Sequence, residues 1–222
     1  MEDFTPLHYT NIITHVITGS IALLIGLYIL LTKKGTKYHV KTGRVFLIFT
    51  TVVVFTGVLG VLAFGRNFYL LVLTALSGYN AYSGFRIVKL KSNKPKWIDI
   101  FVALLCLCSG IYFLYYIKSI GYFWAAGIIY ATVGALFAII GYDLVRYVIP
   151  KEKYQKLWLY EHIYKMIAAF TALLAAAVGT IFADYKPYSQ FLPSIIGTLL
   201  AIGFIVYFYR KNRRNEKSKQ KT

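Results

Sequence analysis

Seven long apolar stretches divide this sequence, and each is long enough to cross a lipid bilayer as a helix. They cover roughly residues 9–31, 43–64, 68–90, 97–117, 122–148, 157–182 and 191–209. A bilayer-spanning helix needs about 20 mostly apolar residues, because its backbone groups must all be hydrogen-bonded internally in lipid. Charged residues make up only 15% of the chain, too few to cover the surface of a soluble domain. The sequence therefore predicts an all-α, seven-helix transmembrane bundle that forms a single domain over residues 1–209.

The positive charges are distributed unevenly among the connections. Twenty-one Lys and Arg residues lie in the first, third and fifth connections and in the C-terminal tail, against three in the other connections. Because Lys and Arg accumulate in cytoplasmic loops, this asymmetry predicts an external N-terminus and a cytoplasmic C-terminus. Topology and contact with anionic lipid headgroups account for the net charge of +17, so no nucleic-acid partner is predicted. The polar, basic tail, residues 210–222, is predicted to be disordered.

Three of the four histidines begin stripes of small residues at helical spacing. His15 in the first helix precedes Gly19, Ala22 and Gly26 on one face. Small residues let helix backbones approach closely in membranes, so we expect this face to contact protein rather than lipid. His39 and His162 lead similar stripes in the second and sixth helices.

The candidate ligand-binding residues are the polar side chains that these stripes and the helix centres place inside the bundle, with helices 1, 2, 3 and 6 lining the site. They are His15, His39, Asn80, His162 and Lys165, supported by Asn11, Arg44, Ser77, Asp143 and Glu161.

Asn80 and Lys165 each have two interpretations. An amide left unpaired in hydrocarbon costs a few kcal/mol, so Asn80 either joins two helices or contacts a ligand. Lys165 is either a functional cation or a structural one, which snorkels to the cytoplasmic face or pairs with Glu161 four residues earlier. Asp143 can pair with Arg146 at i, i+3 near the same boundary.

Motifs for common chemistries are absent from the sequence. It contains no nucleotide-binding loop, hydrolase elbow or zinc-protease helix, so a non-enzymatic role is favoured. Cys106 and Cys108 form neither a CxxC pair nor a zinc motif. A haem b needs two imidazoles at one depth, and only His39 with His162 meets that requirement. His15 lies roughly 24 Å along the helix axis from the cytoplasmic end of the first helix, so it cannot ligate the same ion as His39.

The first third of the chain resembles a family of bacterial multi-pass membrane proteins of unknown function. Those proteins have a histidine and spaced glycines in the first helix, then His-Arg-x-x-Gly-Arg-Val-Tyr opening the second. Here the second motif reads from His39 to Phe46, with Gly43 and Arg44 in place, Val40 replacing the Arg and Phe46 replacing the Tyr. The resemblance implies a bacterial cytoplasmic membrane protein with functional histidines, and no established reaction.

Three functional hypotheses follow. The first is an intrabundle site that contains histidines and binds a small ligand, ion or proton for transport or sensing, since His titrates near neutral pH. The second is a membrane redox protein with one haem b on His39 and His162. The third is a structural membrane subunit whose polar residues only stabilise packing.

Overall fold

The computed structural model describes residues 5–65, 69–120 and 126–219. Within these ranges the chain forms seven α-helices and no strand. They are α1 Pro6–Leu31, α2 Lys37–Leu62, α3 Tyr69–Leu90, α4 Trp97–Ile120, α5 Ala126–Val145, α6 Lys151–Ile181 and α7 Tyr188–Lys219. Residue 68, residues 122–125 and tail residues 220–222, which the sequence assigns to two spans and the tail, lie outside the described residues.

Six of these helices are long and apolar enough to cross a membrane, and the structure fits a multi-pass integral membrane protein. The exception is α3, which is long enough at 22 residues but not apolar enough. Its polar residues Ser77, Asn80 and Ser83 lower its hydropathy, and all three are buried against neighbouring helices. The helix with the weakest membrane signal is therefore one whose polar face is covered by protein.

The helices pack around a central pair, α3 and α6. One side of the pair carries α1 and α2, the other carries α4 and α5, and α7 packs against α6. An apolar core joins α1, α2 and α6 through Ala22, Phe46 and Phe170. A second core joins α3, α4 and α5, with Val72, Phe113 and Leu136 fully buried. The contacts of α3 and α6 thus link both halves of the bundle.

Glycines set the closest helix approaches. A Cβ atom at Gly197 of α7 would lie 2.1 Å from the Thr171 hydroxyl oxygen of α6, and one at Gly26 of α1 would lie 2.4 Å from the Phe170 ring. At Gly134 of α5, by contrast, a Cβ would meet nothing within 4 Å. Small residues therefore bring α1 and α7 onto α6, whereas Gly134 lies on an open face.

The connections α1–α2, α3–α4 and α5–α6 lie at one end of the bundle, named here the basic end. At this end the amide of Asn93, between α3 and α4, donates to the carbonyls of Tyr147 at 3.2 Å and Ile149 at 2.7 Å, between α5 and α6. The Arg86 guanidinium of α3 pairs with Asp99 of α4 at 2.6 Å. Polar contacts between two connections and between α3 and α4 thus hold the basic end together.

In the structure most of the tail is helical, whereas the sequence predicts disorder for residues 210–222. Residues 210–219 continue α7, and only residues 220–222 lie beyond the described helix. Lys, Arg, Gln and Glu have good helix propensity, so a polar segment can extend a helix that the bundle already nucleates. Glu216 also accepts an exposed salt bridge from Lys156 of α6 at 3.2 Å.

Candidate functional site

Four charged side chains are buried together where α5 meets α6. They are Asp143 of α5, Arg146 in the turn that follows α5, and Glu161 and Lys165 of α6, each at most 9% exposed. The spacings of three and four residues place each pair on one face of its segment. We name these four residues the charge network.

Asp143 is the centre of one half of the network. It accepts a hydrogen bond from the Lys165 ammonium and one of 2.8 Å from the hydroxyl of Tyr79 in α3. The Arg146 guanidinium lies 3.5 Å from the same carboxylate. Side chains from α3, α5 and α6 therefore meet at one carboxylate.

Glu161 is the centre of the other half. Its carboxylate accepts hydrogen bonds from Tyr142, from Tyr154 at 3.1 Å and from Arg146 at 3.3 Å. Arg146 thus bridges the two carboxylates, while its Nε has no partner in the described structure. The Arg146 guanidinium also lies over the Tyr154 ring, 5.9 Å from its centroid.

The network contains two carboxylates and two cations, so its charges balance. Removing an ion from water costs several kcal/mol, and a partner with further hydrogen bonds offsets that cost. The intrahelical Lys165–Glu161 pair considered from the sequence is wrong: Lys165 pairs with Asp143 across helices, and Glu161 pairs with Arg146. At 2% exposure, Lys165 does not snorkel out of the bundle.

A cleft of about 170 Å³ lies between α5 and α7, with α3 and α6 as its floor. Asn80 lines it, fully buried, and so does Gln190, which is 7% exposed. The Asn80 carbonyl oxygen and the Gln190 amide nitrogen have no hydrogen-bond partner in the described structure. Six hydroxyl-bearing side chains also line the cleft, namely Tyr69, Thr132, Tyr164, Thr171, Ser194 and Thr198.

Asn80 does not join two helices as one interpretation proposes. Its amide donates to the carbonyl of Leu76 in its own helix at 2.8 Å. The neighbouring Ser77 makes the interhelical bond instead, to the carbonyl of Ala169 in α6 at 3.2 Å. Asn80 therefore presents an unused acceptor beside the cleft.

His15 contacts α2 near the end opposite the basic end. Its Nδ1 lies 2.9 Å from the Thr56 hydroxyl, and Asn11 donates to the Thr56 carbonyl at 3.1 Å. The Thr56 hydroxyl donates to the Val52 carbonyl, so it accepts from a protonated Nδ1 of His15. His15 faces protein, as its small-residue stripe predicts, but it lines neither the cleft nor the charge network.

His39 and His162 lie near one another at the basic end. The His162 Nδ1 donates to the carbonyl of Gly84 in α3 at 3.0 Å, which leaves its Nε2 as an acceptor. His39 is in the first turn of α2, within electrostatic range of His162, and its buried Nδ1 has no partner in the described structure. From Thr56 to His39 is about 25 Å along α2, so the histidines form two separate groups.

The connection α1–α2 also contains a partly buried cation. The Lys34 ammonium donates to the carbonyls of Ile29, Leu30 and Thr32 at 2.7–2.8 Å, at the C-terminal end of α1. Burial lowers the pKa of Lys34, because desolvation disfavours the charged form. Lys34 thus supplies a positive charge where the dipole of α1 is negative.

A haem fits this arrangement poorly. The porphyrin needs a flat cavity between its two axial imidazoles. The cleft, a long groove between α2 and α4, and a small pocket beside Asp99 are lined by residues other than His39 and His162. Among the described residues, no group of three or more His, Cys, Asp or Glu side chains could hold a metal ion.

The predicted site residues therefore fall into five places, apart from Ser77, which joins α3 to α6. Asn80 lines the cleft, and Lys165, Asp143 and Glu161 belong to the charge network. His39 with His162 and His15 with Asn11 form the two histidine groups. Arg44 lines a groove on the far side of α3. The cleft is lined by α3, α5, α6 and α7, not by helices 1, 2, 3 and 6 as expected.

Sequence reasoning missed the tyrosines and Gln190. Tyr79, Tyr142 and Tyr154 complete the charge network, yet Tyr is so frequent here, at 20 residues, that no position stands out. The one usable indication is spacing: Tyr154 and Glu161 are seven residues apart, which places them on the same face of α6. Gln190 lies at the start of α7, where a polar residue is unremarkable.

No protein-family model, curated protein or solved structure matches this chain. The resemblance of its first third to a bacterial membrane protein family therefore depends on the quoted residues alone.

We predict that Lys165→Met and Asp143→Asn each destabilise the folded bundle strongly, by about 3–5 kcal/mol, because each leaves one buried charge unpaired. The double variant keeps the Arg146–Glu161 pair and restores the charge balance. We therefore expect it to unfold at a higher temperature than either single variant in detergent, measured by circular dichroism.

Lys156→Gln, which breaks the exposed Lys156–Glu216 pair, is the control and should change the free energy of unfolding by less than about 1 kcal/mol. Additive losses in the double variant would contradict the assignment of one coupled pair.

Proposed function

We propose that this protein moves protons across the membrane along a polar path through the bundle. The observation that carries the proposal is that the cleft is lined by Asn80, the residue after Tyr79, whose hydroxyl bonds to the charge network. Polar side chains thus continue from Gln190, near the end opposite the basic end, to Glu161 near the basic end. Ionisable residues inside a membrane bundle are functional candidates by default and include proton relays.

The cleft forms the first half of the path. Gln190 lies near the C-terminal end of α6, where its side chain lies 3.1 Å from the position of a Cβ on Gly179. Asn80 lies deeper, since the adjacent Ser77 is level with Ala169 of the same helix. A space of 170 Å³ holds several water molecules, and the free acceptor of Asn80 and donor of Gln190 are partners for them.

The charge network forms the second half. Asp143 lies between the Lys165 ammonium and the Tyr79 hydroxyl, and Arg146 links Asp143 to Glu161. The carboxylate oxygens and the tyrosine hydroxyls are the groups of the network that can receive a proton through a hydrogen bond and pass one on. His162 lies one helical turn from Lys165 on α6, and Gly84 of α3 contacts both residues. These groups give a proton successive acceptors toward the basic end.

The proposal includes the membrane orientation. We infer that α3 is the seventh span, because it is long enough to cross and lies between two spans. The charge asymmetry then supports an external N-terminus and a cytoplasmic basic end. Location in a bacterial cytoplasmic membrane is part of the proposal and depends on the sequence resemblance.

Cysteine labelling tests the number of spans. In a background with Cys106 and Cys108 replaced by Ala, Lys33→Cys reports the α1–α2 connection and Asp184→Cys the α6–α7 connection. Seven spans place these positions on opposite sides of the membrane, whereas a chain in which α3 does not cross places them on one side. We predict that a membrane-impermeant maleimide added outside intact cells labels position 184 and not position 33. Labelling of both positions, or of neither, would contradict seven spans.

Proton flux tests the function itself. The purified protein is reconstituted in liposomes that contain a pH-sensitive dye, and a potassium gradient with valinomycin supplies the driving potential. We predict that wild-type vesicles acidify faster than protein-free vesicles, and that Asn80→Leu reduces the rate at least tenfold. Asn80→Leu is chosen because, within the described part of the chain, the Asn80 side chain bonds only to its own helix, so the fold should survive.

Asp99→Asn is the matched control for flux. It disturbs the partly buried ion pair between Asp99 of α4 and Arg86 of α3, neither of which belongs to the cleft or the charge network. We expect its flux to equal that of the wild type. Vesicles that acidify no faster than protein-free vesicles would contradict the proposal and favour a purely structural subunit.

A further inference from the structure

A long groove runs along the side of α3 that faces away from the cleft. It lies between α2 and α4, has a volume of about 750 Å³, and α3 forms its floor. The floor includes Ala75, Gly78 and Ala81 of α3, and because their side chains are small, the groove is deep at these positions. From Arg44 to Leu62 the groove follows α2 for about 27 Å, close to the thickness of the hydrocarbon core.

The walls of the groove are apolar and face the surroundings of the bundle. Ile48, Leu62 and Leu105 line it and are each at least 60% exposed. Among the described lining residues, Arg44 is the one charged side chain. It lies about 10 Å into α2, counted from Lys37 at the basic end.

A second cation lies beside the groove at the same end. The Lys89 ammonium lies over the ring of Phe85, 4.6 Å from its centroid, and Phe85 lines the groove. Neither Arg44 nor Lys89 has a carboxylate partner among the described residues, whereas nearby Arg86 is paired with Asp99. The basic end of the groove therefore presents positive charge without an acidic counterpart.

We propose that this groove binds one phospholipid with an anionic headgroup. Its acyl chain lies on α3 between α2 and α4, and its phosphate contacts Arg44 and Lys89. An apolar groove bounded at one end by unpaired cations is complementary to a long hydrocarbon chain that ends in a phosphate. Basic pockets between membrane helices are known to bind anionic headgroups. The proposal does not depend on proton movement, because the groove and the cleft lie on different sides of α3.

Native mass spectrometry of the detergent-purified protein tests this. Dioleoyl phosphatidylglycerol and dioleoyl phosphatidylcholine are titrated separately, and glycerol 3-phosphate is added as a soluble headgroup without chains. We expect the wild type to retain one phosphatidylglycerol in preference to phosphatidylcholine, and to bind no glycerol 3-phosphate. Arg44→Gln should weaken phosphatidylglycerol binding about fivefold, the effect of one cation near the membrane surface, and remove the preference.

Two further variants test the groove itself. Ala75→Phe fills its floor, and Leu105→Trp covers its wall at an exposed position, where a larger side chain does not have to enter the core. We expect both to lose binding of both lipids. The matched controls are Lys33→Gln, which removes a cation at the basic end outside the groove, and Ala138→Phe, which adds a ring on the open face of α5. Both controls should bind like the wild type.

Three outcomes would overturn the proposal. The first is wild-type binding of phosphatidylglycerol by Arg44→Gln. The second is wild-type binding by a folded Ala75→Phe or Leu105→Trp variant. The third is a change from dimer to monomer in either groove variant, which would show that a second copy of the chain occupies the groove.

Discussion

The ion pair between Lys165 and Asp143 constrains the whole bundle. An ammonium group buried among helices needs a carboxylate within hydrogen-bond distance, and α6 supplies none at the right position once Glu161 is paired with Arg146. Helix α5 must therefore turn Asp143 toward α6. Helix α3 must come close enough for Tyr79 to complete the site, and Gly84 permits this, because a Cβ there would lie 3.0 Å from the Lys165 Cβ.

A polar helix at the centre follows from this constraint. Because α3 supplies Tyr79, Ser77 and Asn80 to the interior, its hydropathy falls below that of the six other helices. One side of α3 then faces the cleft and the charge network. The other side forms the floor of the long groove with small residues and with Tyr79, whose hydroxyl reaches Asp143 of the charge network. The proton path and the lipid groove proposed here are thus two consequences of one helix with two different faces.

The sequence predicts the helices well and the site only in part. Apolar length predicts seven helices, and the stripe that begins at His15 correctly predicts a protein-facing side, because both depend on one helix at a time. The partner of Lys165 could not be predicted, since Glu161 at i−4 is available on the same helix and Asp143 lies on another. The cleft was missed for the same reason: it exists where α5 and α7 stay apart, which neither helix encodes alone.

A solid-state nuclear magnetic resonance measurement in lipid bilayers tests the central ion pair most directly. The protein is labelled with ¹⁵N at lysine side chains and ¹³C at aspartate carboxylates, and Asp143→Asn assigns the signal. We predict a dipolar coupling between the Lys165 nitrogen and the Asp143 carboxyl carbon, as for a direct ion pair. A Lys165 nitrogen coupled instead to lipid ³¹P would show that this side chain reaches the headgroups, and would contradict the buried charge network.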